Sequence, residues 1–361
     1  MSAGPPTVGV EEEFVLLDPT SGQVALAAPD VIRACHEPDG VVAESMTYMV
    51  ETRTPICRSL DEVLWSLRTH REQLATQAHG CGAVAVASGV APFGVPDPPP
   101  VTEDQRYAAL LARFPFAMRT TGTCACHVHV AVPSRAVGVE VLLRLRPWLP
   151  VLAALTSNSP IWWGRDAGWA STRHVFASRW PTAVPPLLVG SEAGYDDAVR
   201  AVVAAGEALD SRSVYFLARL SPRYPTVEVR IADVCLSAEE AAAYAVLVRA
   251  LVAQAMAGPA KQPPAPASQD ELTAACRHAA HVGLAGRLTD GAGAWDHVDA
   301  LVTHVLPFLD RYGDADHVRR TLCLVQSGGG GAERQRRMFE QALTAGEFVA
   351  ALAAATTGGL R

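Results

Sequence analysis

The sequence predicts an α+β fold built on a mainly antiparallel sheet. Segments with the alternation of β-strands and segments with the period of α-helices are mixed along the chain without a regular βαβ rhythm. Doubly wound parallel sheets and (β/α)₈ barrels require that rhythm, so the pattern argues against both. A length of 361 residues with 49% hydrophobic residues is sufficient for one large domain or two closely packed ones.

Alternating side chains predict the first strand at residues 7–17. In a strand, side chains two residues apart share a face. One face of this strand is then apolar, and the other carries two carboxylates. The apolar face comprises Val8, Val10, Phe14 and Leu16, and the other comprises Glu11, Glu13 and Val15. Glu12 interrupts the apolar face.

The remaining elements up to residue 257 follow from the same criteria. Ser59 caps a predicted helix at 60–80, and Ser237 with Glu240 forms a capping box that opens a long helix ending at 257. The segment 161–186 has no clear period, and long irregular segments of this kind are often functional loops. Strands are also predicted at 46–53, 82–89, 121–132 and 225–235, helices at 102–114 and 139–157, and a Pro-rich loop at 91–100.

The composition changes near residue 258 and suggests a division of the chain. Residues 1–257 are predicted to form a catalytic α+β domain. The segment 258–270, GPAKQPPAPASQD, reads as a Pro-rich linker. Residues 271–361 are predicted to form two or three amphipathic helices that pack on the same domain, with breaks at 289–294 and 327–331.

Charge and cysteine usage exclude several classes of protein. The net charge of −7 without blocks of like charge argues against nucleic acid or an anionic membrane as a partner. The N-terminus lacks the pattern of a signal peptide, and the longest apolar stretch, 241–258, contains Arg249, so we expect a cytoplasmic protein. The eight cysteines form no CxxC pair, which indicates reduced, mostly buried thiols rather than a zinc site.

Three predicted strands each place two polar groups on one face. If these strands lie in one sheet, carboxylates, imidazoles and a guanidinium line a single surface. Such a surface suits divalent cations and a polyanion, with a nucleoside triphosphate as the leading candidate. The three pairs are Glu11 and Glu13, His127 and His129, and Glu228 and Arg230.

Each pair alone has another explanation. A solvated edge strand explains Glu11 and Glu13 equally well, and a strand surface pair explains Glu228 with Arg230. The HxH pattern also occurs in zinc hydrolases, although no HExxH accompanies it here. The phosphate-binding motif GxxxxGK[ST] is missing from the sequence, so ATP would have to bind through metals on the sheet.

Several segments in this order resemble the carboxylate–amine ligase family, the type 2 glutamate–cysteine ligases of the glutamine-synthetase-like superfamily. The resemblance covers nearly the whole chain, and the ordered set is more specific than any single motif. The matching segments are 9–18 (GVEEEFVLLD), 44–55 (ESMTYMVETRTP), 88–94 (SGVAPFG), 103–111 (EDQRYAALL), 126–132 (CHVHVAV), 169–181 (WASTRHVFASRWP), 225–241 (PTVEVRIADVCLSAEEA) and 331–337 (GAERQRR).

The resemblance implies a glutamine-synthetase-like fold whose curved, mainly antiparallel sheet forms an active-site funnel with flanking helices. It also implies ATP and Mg²⁺, or Mn²⁺ in its place, as cofactors. Arg230 and Arg173 would be catalytic. The metal ligands would be Glu11, Glu13, Glu51, His127 and Glu228, and the substrate-binding residues would be His129, Tyr48, Arg53 and Arg179.

This sequence departs from the family pattern beside the implied metal ligands. Ala91 stands where the family has a histidine, SMTYMV separates Glu44 from Glu51, and Thr52 and Arg53 replace small apolar residues. We therefore expect an ATP-dependent ligase that forms a γ-glutamyl or similar amide through an acyl phosphate, with a non-cysteine amine as acceptor.

Three alternatives remain open at this stage. They are a glutamate–cysteine ligase proper, a metal-dependent amidohydrolase or phosphatase, and a non-catalytic homologue that binds amino acids. The expected partners are an amino acid, with glutamate as the leading candidate, and an amine. Nucleic acid and membrane are not expected as partners, and a homodimer is compatible with the sequence.

Overall fold

The structure, a computed structural model, describes residues 4–35, 40–119, 122–258 and 267–358. The strands in these ranges are β1 Val8–Leu17, β2 Val41–Ala43, β3 Met49–Arg53, β4 Val84–Val86, β5 Cys126–Ala131, β6 Ile161–Trp162, β7 Arg165–Asp166, β8 Ala218–Leu220 and β9 Thr226–Val229.

Along the chain, α-helices are interspersed among the strands, as the sequence predicted, and further α-helices follow the last strand. In the first part of the chain they are α1 Ala28–Ala34, α2 Leu60–Gly80, α3 Gln105–Arg113, α4 Pro115–Met118, α5 Arg135–Leu145, α6 Leu149–Leu155, α7 Thr172–Ala177, α8 Glu192–Ala204 and α9 Ala238–Met256. In the second part they are α10 Gln269–Val282, α11 Ala294–Tyr312, α12 Ala315–Gly328, α13 Gly331–Gln341 and α14 Ala345–Thr357.

Strand β1 lies in the middle of the main sheet, whose strand order is β2-β3-β1-β5-β9-β8. Strand β4 pairs with the end of β1, and every pairing between the described strands is antiparallel. The α+β class with a mainly antiparallel sheet is therefore confirmed. The small hairpin of β6 and β7 lies within the segment 161–186, which is otherwise irregular apart from α7.

One face of β1 packs on helices behind the sheet. Val8 and Val10 are 1% exposed and join a core that includes most of α9, while Phe14 packs in a second core with residues of α14. Glu12 lies on this same buried face and is paired with Arg71 of α2. The interruption in the apolar pattern of β1 is therefore a buried ion pair.

Within residues 267–358 the C-terminal part contains five α-helices, so the prediction of two or three was wrong. The glycine breaks at 289–294 and 327–331 are present, and Gly329 has a positive φ of 86°. A further break follows α11 at Gly313, whose φ of 77° is a left-handed conformation that favours glycine. The helices α10, α11 and α12 contact α6 or α9, and α14 contacts β4.

Most of the predicted linker lies outside the described residues, since 259–266 are not described. The same holds for Thr121, the first residue of the strand predicted at 121–132. The segment 188–224, for which no element was predicted, contains α8 and β8. None of the described helices is both long enough and apolar enough to span a membrane.

Candidate active site

The predicted polar pairs do share one face of the main sheet. Glu11 of β1 lies opposite Arg53 of β3 on one side and opposite His127 of β5 on the other. In the strand register, Glu13 of β1 lies opposite Glu51 of β3, and His129 of β5 lies opposite Glu228 of β9. The register of four antiparallel strands thus collects these side chains on the face opposite Glu12, together with Arg230, which directly follows β9.

One group of ligand atoms consists of Glu11, His129 and Glu228, whose ligand atoms lie within 4.8 Å of one another. The Nδ1 atom of His129 lies 3.0 Å from Thr226 Oγ1, which orients the ring. Its Nε2 atom lies 3.6 Å from Glu11 Oε2 and is buried without a hydrogen-bond partner among the described residues. An imidazole fixed through one nitrogen and open at the other is typical of a metal ligand.

The carboxylates of this group are held in the ionised form. Burial opposes ionisation of Glu11, but the imidazoles of His127 and His129, each with a ring nitrogen 3.6 Å from its Oε2 atom, keep its pKa well below the usual range. Burial acts in the same direction on Glu228, and Arg230 and Arg219 nevertheless lower its pKa. Ionised carboxylates beside a histidine form a donor set that divalent cations prefer.

His127 lies beside this group rather than within it. Its Nδ1 atom is 3.6 Å from Glu11 Oε2 and 3.5 Å from a terminal nitrogen of Arg230. Burial and the nearby Arg230 lower its pKa to about 3, so the ring is neutral at pH 7. The sequence predicted His127 as a metal ligand and His129 as a substrate-binding residue; in the structure it is His129 that shares a group of close ligand atoms with Glu11 and Glu228.

The second group of ligand atoms consists of Glu13, Glu44 and Glu51, also within 4.8 Å of one another. Glu13 and Glu51 are buried and Glu44 is half-buried. Burial, together with the charge of Glu44, raises the pKa of Glu13 to about 8. Burial and the charge of Glu11 raise the pKa of Glu51 well above its usual range. Three carboxylates in such proximity repel one another unless a cation is shared between them.

Both groups fit divalent cations of the size and charge of Mg²⁺. Each supplies oxygen or imidazole donors, one offers an unpartnered buried nitrogen, and the other concentrates negative charge that a cation would offset. Because Glu11 and Glu13 are two residues apart on β1, the two groups lie about 7 Å apart along the strand.

Glu44 was not predicted as a site residue. It lies in the loop between β2 and β3, so it has no partner at the i+2 spacing that identified the other carboxylates. Its Oε2 atom accepts a hydrogen bond of 3.4 Å from the hydroxyl of Tyr107 in α3. The one feature of the sequence that could have indicated Glu44 as a site residue is its position at the start of the segment 44–55, which carries part of the family resemblance.

Arg219 was missed as well, because β8 was not predicted. Its side chain donates two hydrogen bonds to Glu228, of 2.9 Å and 3.1 Å, and two more to the carbonyls of Val214 and Arg212. Arg230 also donates to Glu228 and lies 5.8 Å from the ring centre of Tyr215. The two arginines therefore fix the Glu228 carboxylate and add positive charge to this end of the sheet face.

Arg173 enters the site from α7, in the segment 161–186. Its terminal nitrogens donate to the carbonyls of Ile231 and Arg230 at 3.2 Å each. The carboxylate of Asp233 accepts hydrogen bonds from Ser159 Oγ at 2.6 Å and Ser171 Oγ at 2.7 Å. These bonds hold the start of α7, the helix that carries Arg173. Within the described chain, Arg173 Nε is buried and has no hydrogen-bond partner.

A cleft opens from the second group of carboxylates toward α3 and α7. Its empty volume is about 780 Å³, counting the part open to solvent. Its walls comprise Glu13, Glu44, Ser45, Tyr107, Leu110, Met118, Thr123, His127, Arg173, His174, Ala177, Trp180, Ala183, Tyr215, Leu217 and Arg230.

Two residues predicted to bind substrate lie elsewhere. Tyr48 is 1% exposed and packs in the hydrophobic core beside Gly122, so its position contradicts that role. Arg179 is stacked between Phe176 and Phe116, with its guanidinium carbon 4.8 Å and 5.2 Å from the ring centres, and it is not part of the cleft wall. Arg53 does lie on the polar face, where its Nε donates to Glu51 at 2.5 Å.

Solved structures with this fold include two ligases. A bifunctional glutathione synthetase from Pasteurella multocida aligns over 97% of this chain with a TM-score of 0.72 and 15% identity, and this chain spans 52% of that protein. The glutamate–cysteine ligase of Francisella tularensis, solved in complex with AMP, aligns over 98% of this chain and 89% of its own, with a TM-score of 0.66 and 12% identity. The chain thus shares its fold with these two proteins.

Sequence comparison narrows this class to one family. Residues 7–350 match the profile of glutamate–cysteine ligase family 2. A protein of Saccharopolyspora erythraea named "Putative glutamate--cysteine ligase 2-1" is 41% identical over 95% of this chain and 92% of its own length. A "Putative glutamate--cysteine ligase 2-3" of Mycolicibacterium smegmatis is 39% identical over 97% of this chain and 98% of its own.

The chain belongs to glutamate–cysteine ligase family 2. It is accordingly a carboxylate–amine ligase, an ATP-dependent enzyme that forms carbon–nitrogen bonds, which confirms the resemblance found in the sequence.

Proposed function

We propose that the protein joins the γ-carboxylate of glutamate, or of a similar amino acid, to an amine other than cysteine through an acyl phosphate. The observation that carries this proposal is the pair of cation-binding groups on one sheet face, bordered by Arg230 and Arg173 and opening into a cleft. Relatives at about 40% identity are named as glutamate–cysteine ligases, which supports glutamate as the acyl donor.

The two groups would hold Mg²⁺, with Mn²⁺ as a substitute. Glu11, His129 and Glu228 would form one site, and Glu13, Glu44 and Glu51 the other. Bound Mg²⁺ would neutralise charge on the triphosphate and orient its terminal phosphate. The guanidinium groups of Arg53, Arg219 and Arg230 add positive charge around the first site, so the triphosphate is expected there.

The reaction needs activation because a carboxylate is a poor electrophile. We propose that a γ-carboxylate oxygen of the donor attacks the terminal phosphorus of ATP, with ADP as the leaving group. Arg230 would face the phosphoryl group during transfer and stabilise the charge on its oxygens, since a planar fork of donors suits a phosphoryl group. Arg173, whose Nε lacks a partner among the described residues, would bind an anionic group of the substrate.

The second half-reaction consumes the acyl phosphate. The neutral amine attacks the acyl carbon, phosphate leaves with the electrons of the carbon–oxygen bond, and the nitrogen loses one proton to give the amide. Water would destroy the acyl phosphate, so the segment 161–186, which carries Arg173 and His174 into the cleft wall, is proposed to exclude it.

The case against cysteine as acceptor now depends on fewer residues. Ala91 and Thr52 are each 1% exposed. Ala91 packs in the second hydrophobic core and Thr52 pairs with Glu12, so neither is offered to a substrate. Arg53 lies on the polar face and stays the main departure from the family pattern at the site.

An assay with ATP, Mg²⁺, glutamate and a panel of amines tests the proposal. ADP release that requires both glutamate and an amine, with an amide product of the correct mass, supports it. Cysteine as the best acceptor would indicate a glutamate–cysteine ligase proper, and amide cleavage without ATP would indicate an amidohydrolase. Failure to bind Mg²⁺–ATP in calorimetry would indicate a non-catalytic homologue. A cytoplasmic location and a homodimer remain predictions.

A further inference from the structure

Helix α13 begins with the sequence GAERQRR (331–337), and none of these residues, all of which the structure describes, is part of the cleft wall. The side chains of Gln335 and Arg336 nevertheless contact the part of the chain that reaches the cleft. Their partners lie within, or shortly before, the segment 161–186, from which Arg173 enters the cleft wall. Helix α13 therefore lies where it can hold that segment in position.

Arg336 holds the hairpin of β6 and β7 together with the chain that follows it. Its Nε atom donates to Asp166 Oδ2 at 2.9 Å, and a terminal nitrogen donates to the carbonyl of Trp169 at 3.1 Å. Asp166 also accepts the backbone N–H of Gly168 at 2.9 Å. One planar guanidinium thus fixes both ends of the turn that leads from β7 toward α7.

The pair of Arg336 and Asp166 is suited to positioning rather than to global stability. Their side chains are 26% and 49% exposed. Ion pairs with this degree of exposure contribute little to the free energy of unfolding. Variants that break this pair are therefore expected to fold, while the hairpin loses its attachment to α13.

Gln335 holds the chain immediately before the hairpin. It is fully buried, and its side-chain amide donates to the backbone and side-chain oxygens of Asn158 at 2.8 Å each. The backbone N–H of Asn158 donates in turn to Asp233 at 2.9 Å. Ser159 Oγ donates to Asp233 as well and accepts the backbone N–H of Arg173 at 3.1 Å. A continuous series of hydrogen bonds therefore links α13 to the backbone of Arg173.

The hairpin in turn packs on α7, the helix that carries Arg173. The ring of Trp162 in β6 lies 4.8 Å from that of Phe176 in α7, at an angle of 71° that is typical of an edge contact. Asp166 lies opposite Ile161 in the hairpin, directly beside Trp162. The contacts of Arg336 and of Gln335 thus reach the same helix by two routes.

We propose that Arg336 and Gln335 are positioning residues that keep the segment 161–186 closed over the acyl phosphate, so that an amine reacts with it before water does. Exclusion of water by this segment is part of the proposed function, so the inference rests on that function. In a loosened segment, water attacks the acyl carbon and the carbon–oxygen bond breaks with its electrons on phosphate. The protons pass to solvent, and the donor carboxylate is regenerated without an amide.

Glutamate-dependent release of ADP without any amine measures this leak. The second measurement is ADP release with hydroxylamine, which traps an acyl phosphate as a hydroxamate. In Arg336→Met we expect the ratio of the first rate to the second to rise at least about 5-fold over wild type. A variant that only loses folded protein lowers both rates alike, so this ratio separates a positioning role from a structural one.

Two further variants test the same contacts from other positions. Asp166→Asn breaks the pair from the hairpin side and should raise the ratio as well. Combined with Arg336→Met it should add nothing, because both substitutions remove one contact. Gln335→Met keeps the volume of a buried side chain without its amide, and it should also raise the ratio.

Arg337→Met is the matched control. It removes the same charge from the same helix, at an exposed side chain that donates to the carbonyl of Gly328, and it should leave the ratio unchanged. An unchanged ratio in both Arg336→Met and Asp166→Asn, or an equal rise in Arg337→Met, would overturn the inference while leaving the ligase in place. Wild-type protein that forms no hydroxamate with ATP, Mg²⁺, glutamate and hydroxylamine would overturn the proposed function and this inference with it.

Discussion

The side chains of Glu12 and Arg71 form a fully buried ion pair, with Nε to Oε2 at 3.0 Å and Nη2 to Oε1 at 2.5 Å. The remaining donors of Arg71 bind the carbonyls of Cys235, Leu236 and Thr356. Every donor of this guanidinium is thus used. Glu12 points away from the site while its neighbours Glu11 and Glu13 point into it, so one strand accommodates three successive glutamates.

Arg71→Met should destabilise the protein strongly. It leaves the Glu12 carboxylate and three carbonyls buried without their donor, which costs about 3–5 kcal/mol for a buried pair. Urea unfolding measures the free energy change. Arg68→Met is the control, because Arg68 of the same helix is half exposed in its pair with Glu239 and should contribute less than about 1 kcal/mol. Equal effects of the two variants would contradict the structure.

Glu13→Gln should uncouple stability from activity. Without metal it removes repulsion within the group formed by Glu13, Glu44 and Glu51, so the melting temperature of the metal-free protein should rise. The additional stabilisation by Mg²⁺–ATP should shrink, and turnover should fall at least about 100-fold. Thermal unfolding with and without Mg²⁺–ATP, followed by the ADP assay, checks both effects. Glu140→Gln, at an exposed carboxylate of α5, is the control, and near-normal activity in Glu13→Gln would remove the metal assignment.

His129 and His127 should differ in metal binding. His129→Asn should weaken Mn²⁺ binding, measured by calorimetry without nucleotide, more than His127→Asn does. Thr226→Val removes the hydroxyl that orients His129 and should cost about 10-fold in affinity. A larger loss in His127→Asn would restore the assignment made from the sequence.

Arg230→Lys should impair the chemical step. A lysine keeps the charge but lacks the planar fork that binds two oxygens at once, so we expect kcat to fall at least about 100-fold. Arg223→Lys, at an exposed position nearby, should have little effect. Unchanged kcat in Arg230→Lys would refute the proposed role.

His174 should make stability sensitive to acid. Burial lowers its pKa from 6.5 to about 4, and the charge of Arg173 acts in the same direction. Because the folded pKa is lowered, the unfolded chain takes up a proton first as the pH falls. The stabilisation is complete above pH 6.5 and is lost between pH 6.5 and 4. From pH 6.5 to 5 the wild type should lose about 2 kcal/mol more than His174→Gln. Parallel urea titrations at several pH values would contradict this if both proteins responded alike.

The sequence predicted the sheet face well because strand periodicity is a local property. Spacing shows that Glu11 and Glu13, and likewise His127 and His129, share a face of their own strand; that these strands and the one with Glu228 lie side by side was a condition of the prediction, and the structure fulfils it. Glu51 came from the family resemblance rather than from spacing.

Site residues that do not belong to an i, i+2 pair on a predicted strand could not be found by strand periodicity. Glu44 comes from a loop and Arg219 from a three-residue strand, and neither has a periodic partner. Arg71 could not be paired with Glu12 from the sequence, since the two residues are 59 positions apart. Tyr48 was misplaced, although the alternation that puts Glu51 on the site face would have directed it to the opposite, core face; in the structure it lies in the turn before β3.

The hydrogen bonds of helix α14 affect the order in which the protein can fold during synthesis. Thr356 in α14 accepts a hydrogen bond from Arg71 through its carbonyl, and its hydroxyl accepts one from the backbone of Ala87, which are separations of 285 and 269 positions along the chain. Contacts of such long range form late, because the intervening chain must first be ordered. During synthesis, the strand that carries Glu11 and Glu13 must wait for almost the entire polypeptide before its supporting pair is complete.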